Sequence, residues 1–432
     1  MQQKTIKVGV VGAGTVGSGT IEILLNRRDI LERRSGAKVE LAAVAELNKE
    51  KALATGAPES IIVDDFAKLT GNPDIDIVVE LIGGTGIAEK IVRSALENGK
   101  AVVTANKALL AEKGRALFAL AREKQAPLAF EAAVGGGIPC IQAIRDGLNS
   151  NKFQSCVGIL NGTCNYILTE MINKGQSYAE CVKQAQALGY AEANPRTDVE
   201  GFDTGHKLAL LSALAFETWI DFDHLPIQGI TGITDADIAS VTAMGYAIKL
   251  LAIGKVANGK LFLSVHPGLV SKGHVLAGVN GSLNAVSLYG DLVKESILIG
   301  RGAGKEPTAC AVVSDVVHVA KMLCSGVSAF SWLPPEKPQL ELADMADYET
   351  RYYLRFTVAD KVGVLAQIAG ELSERGVGID SMLQPEAKSQ NGCATVVCLT
   401  DVAREGSVME AVRSIDRLEI SKAPTSLYRI EG

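Results

Sequence analysis

The chain has 432 residues, enough for about three domains of ordinary size, each able to bury its own core. Its 43 Lys and Arg residues stand against 49 Asp and Glu, a net charge of −6 with no block of like charges, which excludes a nucleic-acid or anionic-membrane binder held by a basic stripe. A composition 47% hydrophobic and 21% charged excludes a disordered chain, and with no uninterrupted apolar run of membrane-span length and no signal-like opening, a cytoplasmic protein without membrane partners is expected.

Taken in chain order, Ile6 to Val11, Val39 to Ala45, Ile75 to Leu81, Ala101 to Thr104 and Leu128 to Phe130 read as strands separated by helical patterns. That alternation predicts a parallel sheet covered on both faces, an α/β fold of doubly wound type. From Pro139 to Phe216 the pattern is mostly helical, with one strand-like run from Ser155 to Leu160, and alternating segments such as Leu261 to Val265 come after it. These predict a second, α+β domain. The stretch Leu333 to Pro338 holds Pro334, Pro335 and Pro338 and can continue neither a helix nor a central strand, so it reads as a linker that uncouples the C-terminal segment. Beyond it come a strand (Tyr352 to Val358), a helix (Val364 to Arg375), two strands (Gly378 to Leu383 and Ala394 to Thr400), a helix (Ser407 to Ile415) and a strand near Ile420, a ferredoxin-like β-α-β-β-α-β order.

Eight cysteines stand singly, without a C-x-x-C pair, and the five histidines form no H-x-x-x-H pair, so no transition-metal or redox cluster is expected. Most of the cysteines read as small buried apolar residues.

The first strand runs into Gly12-Ala13-Gly14-Thr15-Val16-Gly17 and then an amphipathic helix, the G-x-G-x-x-G pattern in the context its chemistry needs. Gly12 permits the tight turn, Gly14 lets the backbone approach a pyrophosphate, and Gly17 lets helix and strand pack closely, with the helix N-terminus facing the phosphates. Glu46, at the end of the second strand, would bond the ribose hydroxyls of NAD and repel a 2′-phosphate, whereas Lys49 and Lys51 nearby would attract one. Both nucleotides are therefore open as cofactors.

Four longer motifs arrive in order: Val102 to Leu110 (VVTANKALL), Glu131 to Pro139 (EAAVGGGIP), Gly158 to Leu168 (GILNGTCNYIL), and Leu188 to Pro195 (LGYAEANP), the last leading to Asp198 to Asp203 and Lys207. Together they closely resemble homoserine dehydrogenase, and the segment after the proline stretch resembles an ACT regulatory domain. The resemblance implies reversible hydride transfer between L-aspartate 4-semialdehyde and L-homoserine with NAD or NADP, in threonine, methionine and isoleucine biosynthesis. It divides the chain into a Rossmann-type dinucleotide domain (1–134, completed by a returning segment at about 303–330), a catalytic and oligomerisation domain (135–302), a linker (331–347) and an ACT domain (348–432). A homodimer or homotetramer is expected.

Reducing an aldehyde requires a group that neutralises the alkoxide forming on oxygen. Asp203 and Lys207, four residues apart on a helical pattern, share one face, and the resemblance makes Lys207 the proton donor with Asp203 orienting it. Without it, that spacing reads as a surface pair. The resemblance puts Lys107, which follows the strand end at Thr104, between nicotinamide and substrate. It gives Glu192 and Asp198 to the substrate ammonium, with Thr163 and Tyr190 beside them, although Asp198 also reads as an N-cap of the Phe202 to Phe216 helix. Gly302 and Gly304, before the Thr308 to Val319 helix, would return to the nucleotide. The glycine turn at Gly135 to Gly137 allows several carbonyls to converge, and the resemblance implies a sodium ion held by main-chain oxygens of Glu131, Val134, Gly136 and Ile138; a hinge between domains is the other reading. In the ACT segment, Asp360, Gly363, Val364 and Leu365 would bind an effector, L-threonine by the resemblance. Val362 stands where many ACT sequences have proline, so the loop lacks one fixed φ, and a domain that serves only assembly is the alternative.

Two other functions fit the same scaffold: another dehydrogenase of a small amino or hydroxy acid, and a non-catalytic nucleotide-binding sensor. The Asp203–Lys207 pair argues against the sensor, which has no use for a proton donor beside a nicotinamide.

Overall fold

The computed structural model describes residues 4–326, 339–384 and 392–431. The chain forms two compact units, one built from Met1–Gly162, Asp203–Leu225 and Ser282–Leu340 and the other from Thr163–Phe202, Pro226–Gly281 and Glu341–Gly432. The Leu333 to Pro338 stretch lies outside the described residues.

The first unit carries six parallel strands: β1 (Thr5–Val11), β2 (Lys38–Ala45), β3 (Ile62–Val63), β4 (Ile77–Glu80), β5 (Ala101–Thr104) and β6 (Leu128–Ala129). Their spatial order is β3-β2-β1-β4-β5-β6, the doubly wound arrangement whose strand order reverses beside β1 and leaves a crevice at the carboxyl ends of β1 and β4. All four residues of β4 and of β5 are buried, as expected when helices cover both faces. The third and fourth expected strands hold as β4 and β5, though Ile75, Asp76 and Leu81 fall outside β4, Phe130 falls outside β6, and the two-residue β3 has too short an apolar run to be legible.

Ile6, Val8, Val10, Ile21, Leu24, Val39 and Val44 form the core of this unit with Val312, Val316 and Val319. The last three lie on the helix Lys305–Ser325, longer than the Thr308 to Val319 span expected and packed against the glycine-loop helix Thr15–Asn26. Gly19 is the point of closest approach: a Cβ there would lie 2.9 Å from the Ala309 methyl. This helix is long and apolar enough to cross a bilayer, but half of its apolar window is buried in the protein core. The same unit holds three antiparallel strands in the order Lys294–Arg301, Leu283–Gly290, Phe153–Ile159.

In the second unit the strands Tyr246–Ala257 and Lys260–Ser271, twelve residues each, form a hairpin. Asn258 (φ 52°) and Gly259 (φ 75°) form its turn, both left-handed, which is the pairing a two-residue hairpin favours. The C-terminal strands stand in the order Ser421–Ile430, Glu349–Ala359, Cys393–Thr400, Ile379–Leu383, with the helices Val364–Glu374 and Glu405–Ile415, so the ferredoxin-like order holds.

The expectation that this C-terminal segment is uncoupled from the rest of the chain does not hold. Its strand Ser421–Ile430 pairs in parallel with Lys260–Ser271 through Arg429 and Ile430, and Glu341–Leu342 pairs with Lys260–Leu261. Beneath that seam Tyr348 donates to both Glu431 carboxylate oxygens at 2.9 Å, and His266 stands 3.6 Å from Glu431 Oε1. Covering the edge of a long strand is favourable even across a proline-rich connection.

Five of the eight cysteines (Cys140, Cys156, Cys164, Cys181 and Cys398) are buried, as their scatter predicted. Burial pushes the Cys156 and Cys398 thiols up to about 12, which makes them inert packing groups.

Candidate active site

The glycine loop stands at the carboxyl end of β1. Gly12 takes φ 98° and its carbonyl lies 2.0 Å from where a Cβ on Gly17 would be, so both positions require glycine. A Cβ on Gly14 would meet nothing within 4 Å, which leaves the space above the loop open. Gly14 is the N-cap of Thr15–Asn26 and gives that helix no side-chain cap, so the first backbone N–H groups are offered to an anion. Thr15 is exposed and Val16 half-buried at this helix start. The residues fit a pyrophosphate.

Glu46 reaches this loop. Its Oε2 accepts from Ala13 N at 2.8 Å and its Oε1 from Asn48 N at 3.0 Å, which fixes the carboxylate at the strand end. Lys49 pairs with Glu59 at 2.5 Å, which spends much of the positive charge that would have favoured a 2′-phosphate. At the end of β5, Thr104 donates to the fully buried Glu80 at 2.7 Å and accepts from Asn106 N, so its hydroxyl holds the strand ends together.

The Asp203–Lys207 pair is buried rather than a surface pair, and it is larger than expected. Asp203 and Lys207 lie on the helix Phe202–Ala215, with Lys207 Nζ donating to Asp203 Oδ2 at 2.7 Å and to the Leu160 carbonyl at 2.5 Å. Lys107 Nζ, at the start of the helix Lys107–Lys124, pairs with the other carboxylate oxygen, Oδ1, at 3.0 Å. Asn161 Nδ2 donates to Oδ2 at 2.9 Å. One carboxylate thus bridges two ammonium groups from distant parts of the sequence. Burial would raise the Asp203 carboxyl, but the Lys207 and Lys107 charges and the donated hydrogen bonds hold it well below the ordinary carboxylate range. His206, stacked on Phe222 at 4.3 Å, is lowered by burial and stays neutral at pH 7, so the positive charge facing Asp203 is that of the lysines.

Leu160 and Asn161 were legible only as part of a motif, with no local signal of their roles. Only the fold sets a carbonyl opposite Lys207 and an amide opposite Asp203.

A second cluster belongs to the other unit. Thr163 donates to the Tyr190 carbonyl at 2.5 Å, the Tyr166 and Tyr190 rings lie 5.1 Å apart, and Cys164 Sγ donates to the Asp198 carbonyl at 3.2 Å. Glu192 is exposed, its carbonyl accepting from Gln186 Nε2 at 3.1 Å. Asp198 is not a cap of the Phe202–Ala215 helix, because it sits inside a short helix of its own, Arg196–Val199, with the left-handed Gly201 (φ 91°) between the two.

Gly135 and Gly136 take φ 70° and 56°, and a Cβ on Gly136 would lie 2.3 Å from the Gly302 carbonyl. Gly302 therefore packs on the glycine turn, while Gly304 (φ 120°) is the N-cap of Lys305–Ser325. Three of the proposed ligand carbonyls each accept one protein hydrogen bond: Glu131 from Val134 N, Val134 from Cys140 Sγ, and Ile138 from Cys140 N. Each keeps a second lone pair, and carbonyl oxygen is the donor type that a hard monovalent cation takes. The Glu131 carboxyl itself accepts from Ile141 N and Gln142 N and, raised by burial and then by Asp315, moves to about 8.

In the C-terminal module, Asp360, Gly363, Val364 and Leu365 line a cavity of about 370 Å³ with Gln384, Ala394 and Val396. Gly363 (φ 88°) is the N-cap of Val364–Glu374, and Val362 is fully exposed at the loop tip.

Family models match three parts of the chain: homoserine dehydrogenase NAD binding domain at 12–131, homoserine dehydrogenase at 139–317, and ACT domain at 352–417. A homoserine dehydrogenase of Pseudomonas aeruginosa is 42% identical over 432 residues, covering 99% of each chain, and one of Neisseria gonorrhoeae is 40% identical over 433 residues with the same coverage. The crystal structure of a homoserine dehydrogenase from Thiobacillus denitrificans superposes with a TM-score of 0.93 at 39% identity, covering 99% of each chain. Matched by these models and, over nearly its whole length, by relatives about 40% identical, the chain belongs to the homoserine dehydrogenase family.

Proposed function

We propose that Lys207 is the proton donor in the reversible hydride transfer between L-aspartate 4-semialdehyde and L-homoserine that this oxidoreductase catalyses. The observation that carries this reading is the bridging of Lys207 and Lys107 by one buried carboxylate. Asp203 holds the Lys207 ammonium at a fixed angle, and the Leu160 carbonyl takes a second of its protons, so the third N–H is the one free to face a developing alkoxide. Lys107, half-exposed beside the sheet edge, would stand between nicotinamide and substrate. The bound nicotinamide dinucleotide supplies or accepts the hydride. Glu192 and Asp198, with Thr163 and Tyr190, would bind the amino-acid end of the substrate, where a carboxylate pairs with the α-ammonium.

The three-domain division follows the same reading: nucleotide domain 1–134 with 303–330, catalytic and oligomerisation domain 135–302, linker 331–347 and ACT domain 348–432. Gly12 to Gly17, Thr104, Gly302 and Gly304 would line the cofactor. A sodium ion would be held by the main-chain oxygens of Glu131, Val134, Gly136 and Ile138. A cytoplasmic homodimer or homotetramer fits an enzyme of amino-acid biosynthesis.

NAD and NADP are both proposed as cofactors, with Glu46 disfavouring the 2′-phosphate. Glu46→Ala is expected to raise the NADPH to NADH ratio of kcat/KM by about tenfold, since removing one like charge from a phosphate is worth about 1.4 kcal/mol. Steady-state kinetics with the semialdehyde measure it. An unchanged ratio means that Glu46 does not reach the ribose.

The ACT cavity is proposed to take L-threonine, its carboxylate at the Val364–Glu374 helix start. Calorimetric titration of the full-length protein is expected to show saturable heat at millimolar threonine together with inhibition. Neither heat nor inhibition would leave assembly as the module's task.

A further inference from the structure

Apart from the Asp203 cluster, the second unit holds a lysine that no reading of the reaction uses. Lys249, in the strand Tyr246–Ala257 opposite Gly268, has no exposed surface. Its ammonium donates to three neutral oxygens: Val279 O at 2.6 Å, Asn165 Oδ1 at 3.1 Å and Asn280 Oδ1 at 3.2 Å. Enclosing a cation without a carboxylate is costly, and an apolar side chain would serve a strand interior better, so the three bonds must do something that packing does not.

What they do is join two segments. Asn165 Nδ2 also donates to Val279 O at 3.0 Å, and Gly281 N donates to Thr169 Oγ1 at 3.0 Å. Thr169 in turn donates to the Asn165 carbonyl at 2.6 Å. The Val279 to Gly281 segment is thereby tied to the first two turns of the helix Gly162–Lys174. In the chain, that helix begins directly after Leu160 and Asn161, the residues that hold Lys207 and Asp203. Thr163, in its first turn, is the hydroxyl bonded to Tyr190.

We propose that Lys249 is a positioning residue for the reaction, fixing the start of the Gly162–Lys174 helix and through it the Leu160–Asn161 pair that orients the proton donor. This rests on the reading of Lys207 as donor. Three ammonium N–H groups match three acceptors, whereas a neutral amine has two and turns a lone pair toward the third oxygen. Burial brings Lys249 down to about 8, and neither Glu170 on the helix nor Asp235 and Asp237 on the packed helix Asp235–Ala243 counters it, while the Val279 to Gly281 segment and the facing strand Lys260–Ser271 carry no carboxylate. Activity is therefore expected to fall as pH rises through that value, because the matched donor set is lost.

Two variants test this. Lys249→Met is expected to lower kcat at least tenfold while leaving KM for the nicotinamide cofactor within twofold. Asn165→Asp places a carboxylate against the ammonium and is expected to move the alkaline limb of the kcat profile up by about one pH unit, as an opposite charge at this distance does. A limb that stays where it is in Asn165→Asp overturns the proposal, whether or not Lys249→Met folds. So does a folded Lys249→Met with parental kcat, or one whose loss lies in cofactor KM alone. Failure of the donor reading itself shows separately, as retained activity in Lys207→Ala.

Discussion

Lys207→Ala is expected to retain nucleotide binding and lose at least two orders of magnitude in kcat in both directions. The ammonium it removes is buried and already committed to Asp203 and to the Leu160 carbonyl, so solvent or a neighbouring side chain cannot take its geometry. Proton transfer by a positioned group contributes about 10²- to 10⁴-fold, and the loss should appear in kcat and kcat/KM alike because the alkoxide exists only near the transition state. The glycine loop is untouched by the substitution, and fluorescence titration with NADPH should give a Kd close to that of the parent. Near-parental turnover with homoserine would remove Lys207 from the chemistry and leave Lys107, the other ammonium on Asp203, as the candidate.

Asp203→Asn should be almost as damaging, for a different reason. The amide keeps the shape of the carboxylate and can still accept from Lys207, but it leaves two ammonium groups facing a neutral partner. Breaking a buried ion pair from one side costs about 3–5 kcal/mol, because the charges left behind remain desolvated. We expect kcat to fall by about 10²-fold with KM for the nucleotide little changed, read by steady-state kinetics beside circular dichroism to confirm folding. A fall of less than tenfold would mean that the Leu160 carbonyl alone orients Lys207. Since the wild-type carboxyl is held well below the ordinary carboxylate range, Asp203 is ionised at every pH used for assay, and the pH dependence of turnover does not originate in it.

Burial separates these two variants from the surface substitutions that their spacing alone suggests. An exposed pair four residues apart is worth about 0.3–0.5 kcal/mol, and losing it would scarcely be measurable. The same spacing enclosed on the Phe202–Ala215 helix, with a second lysine on the far carboxylate oxygen, becomes the centre of the site.

Local physics made much of this protein legible in its sequence. The β-branched runs of β1, β2 and β5, the glycines whose added Cβ would strike a carbonyl, and the strand-helix order of the C-terminal module are each dictated by neighbours a few residues away. The shared face of Asp203 and Lys207 belongs with them, since a helix brings residues four apart together wherever it lies. Tertiary structure decided what depends on strand order and loop closure, which no local period encodes. It brought Lys107 to Asp203 from 96 positions away and set Leu160 and Asn161 around the same carboxylate. It also turned Glu46 back onto Ala13, joined the C-terminal sheet to Lys260–Ser271 across a stretch that reads as a linker, and enclosed Lys249 among three oxygens from two distant segments. Apart from the Lys107–Asp203 ion pair, the partner in each case is a backbone group or a neutral amide, types so common along any chain that only their placement by the fold makes one of them specific.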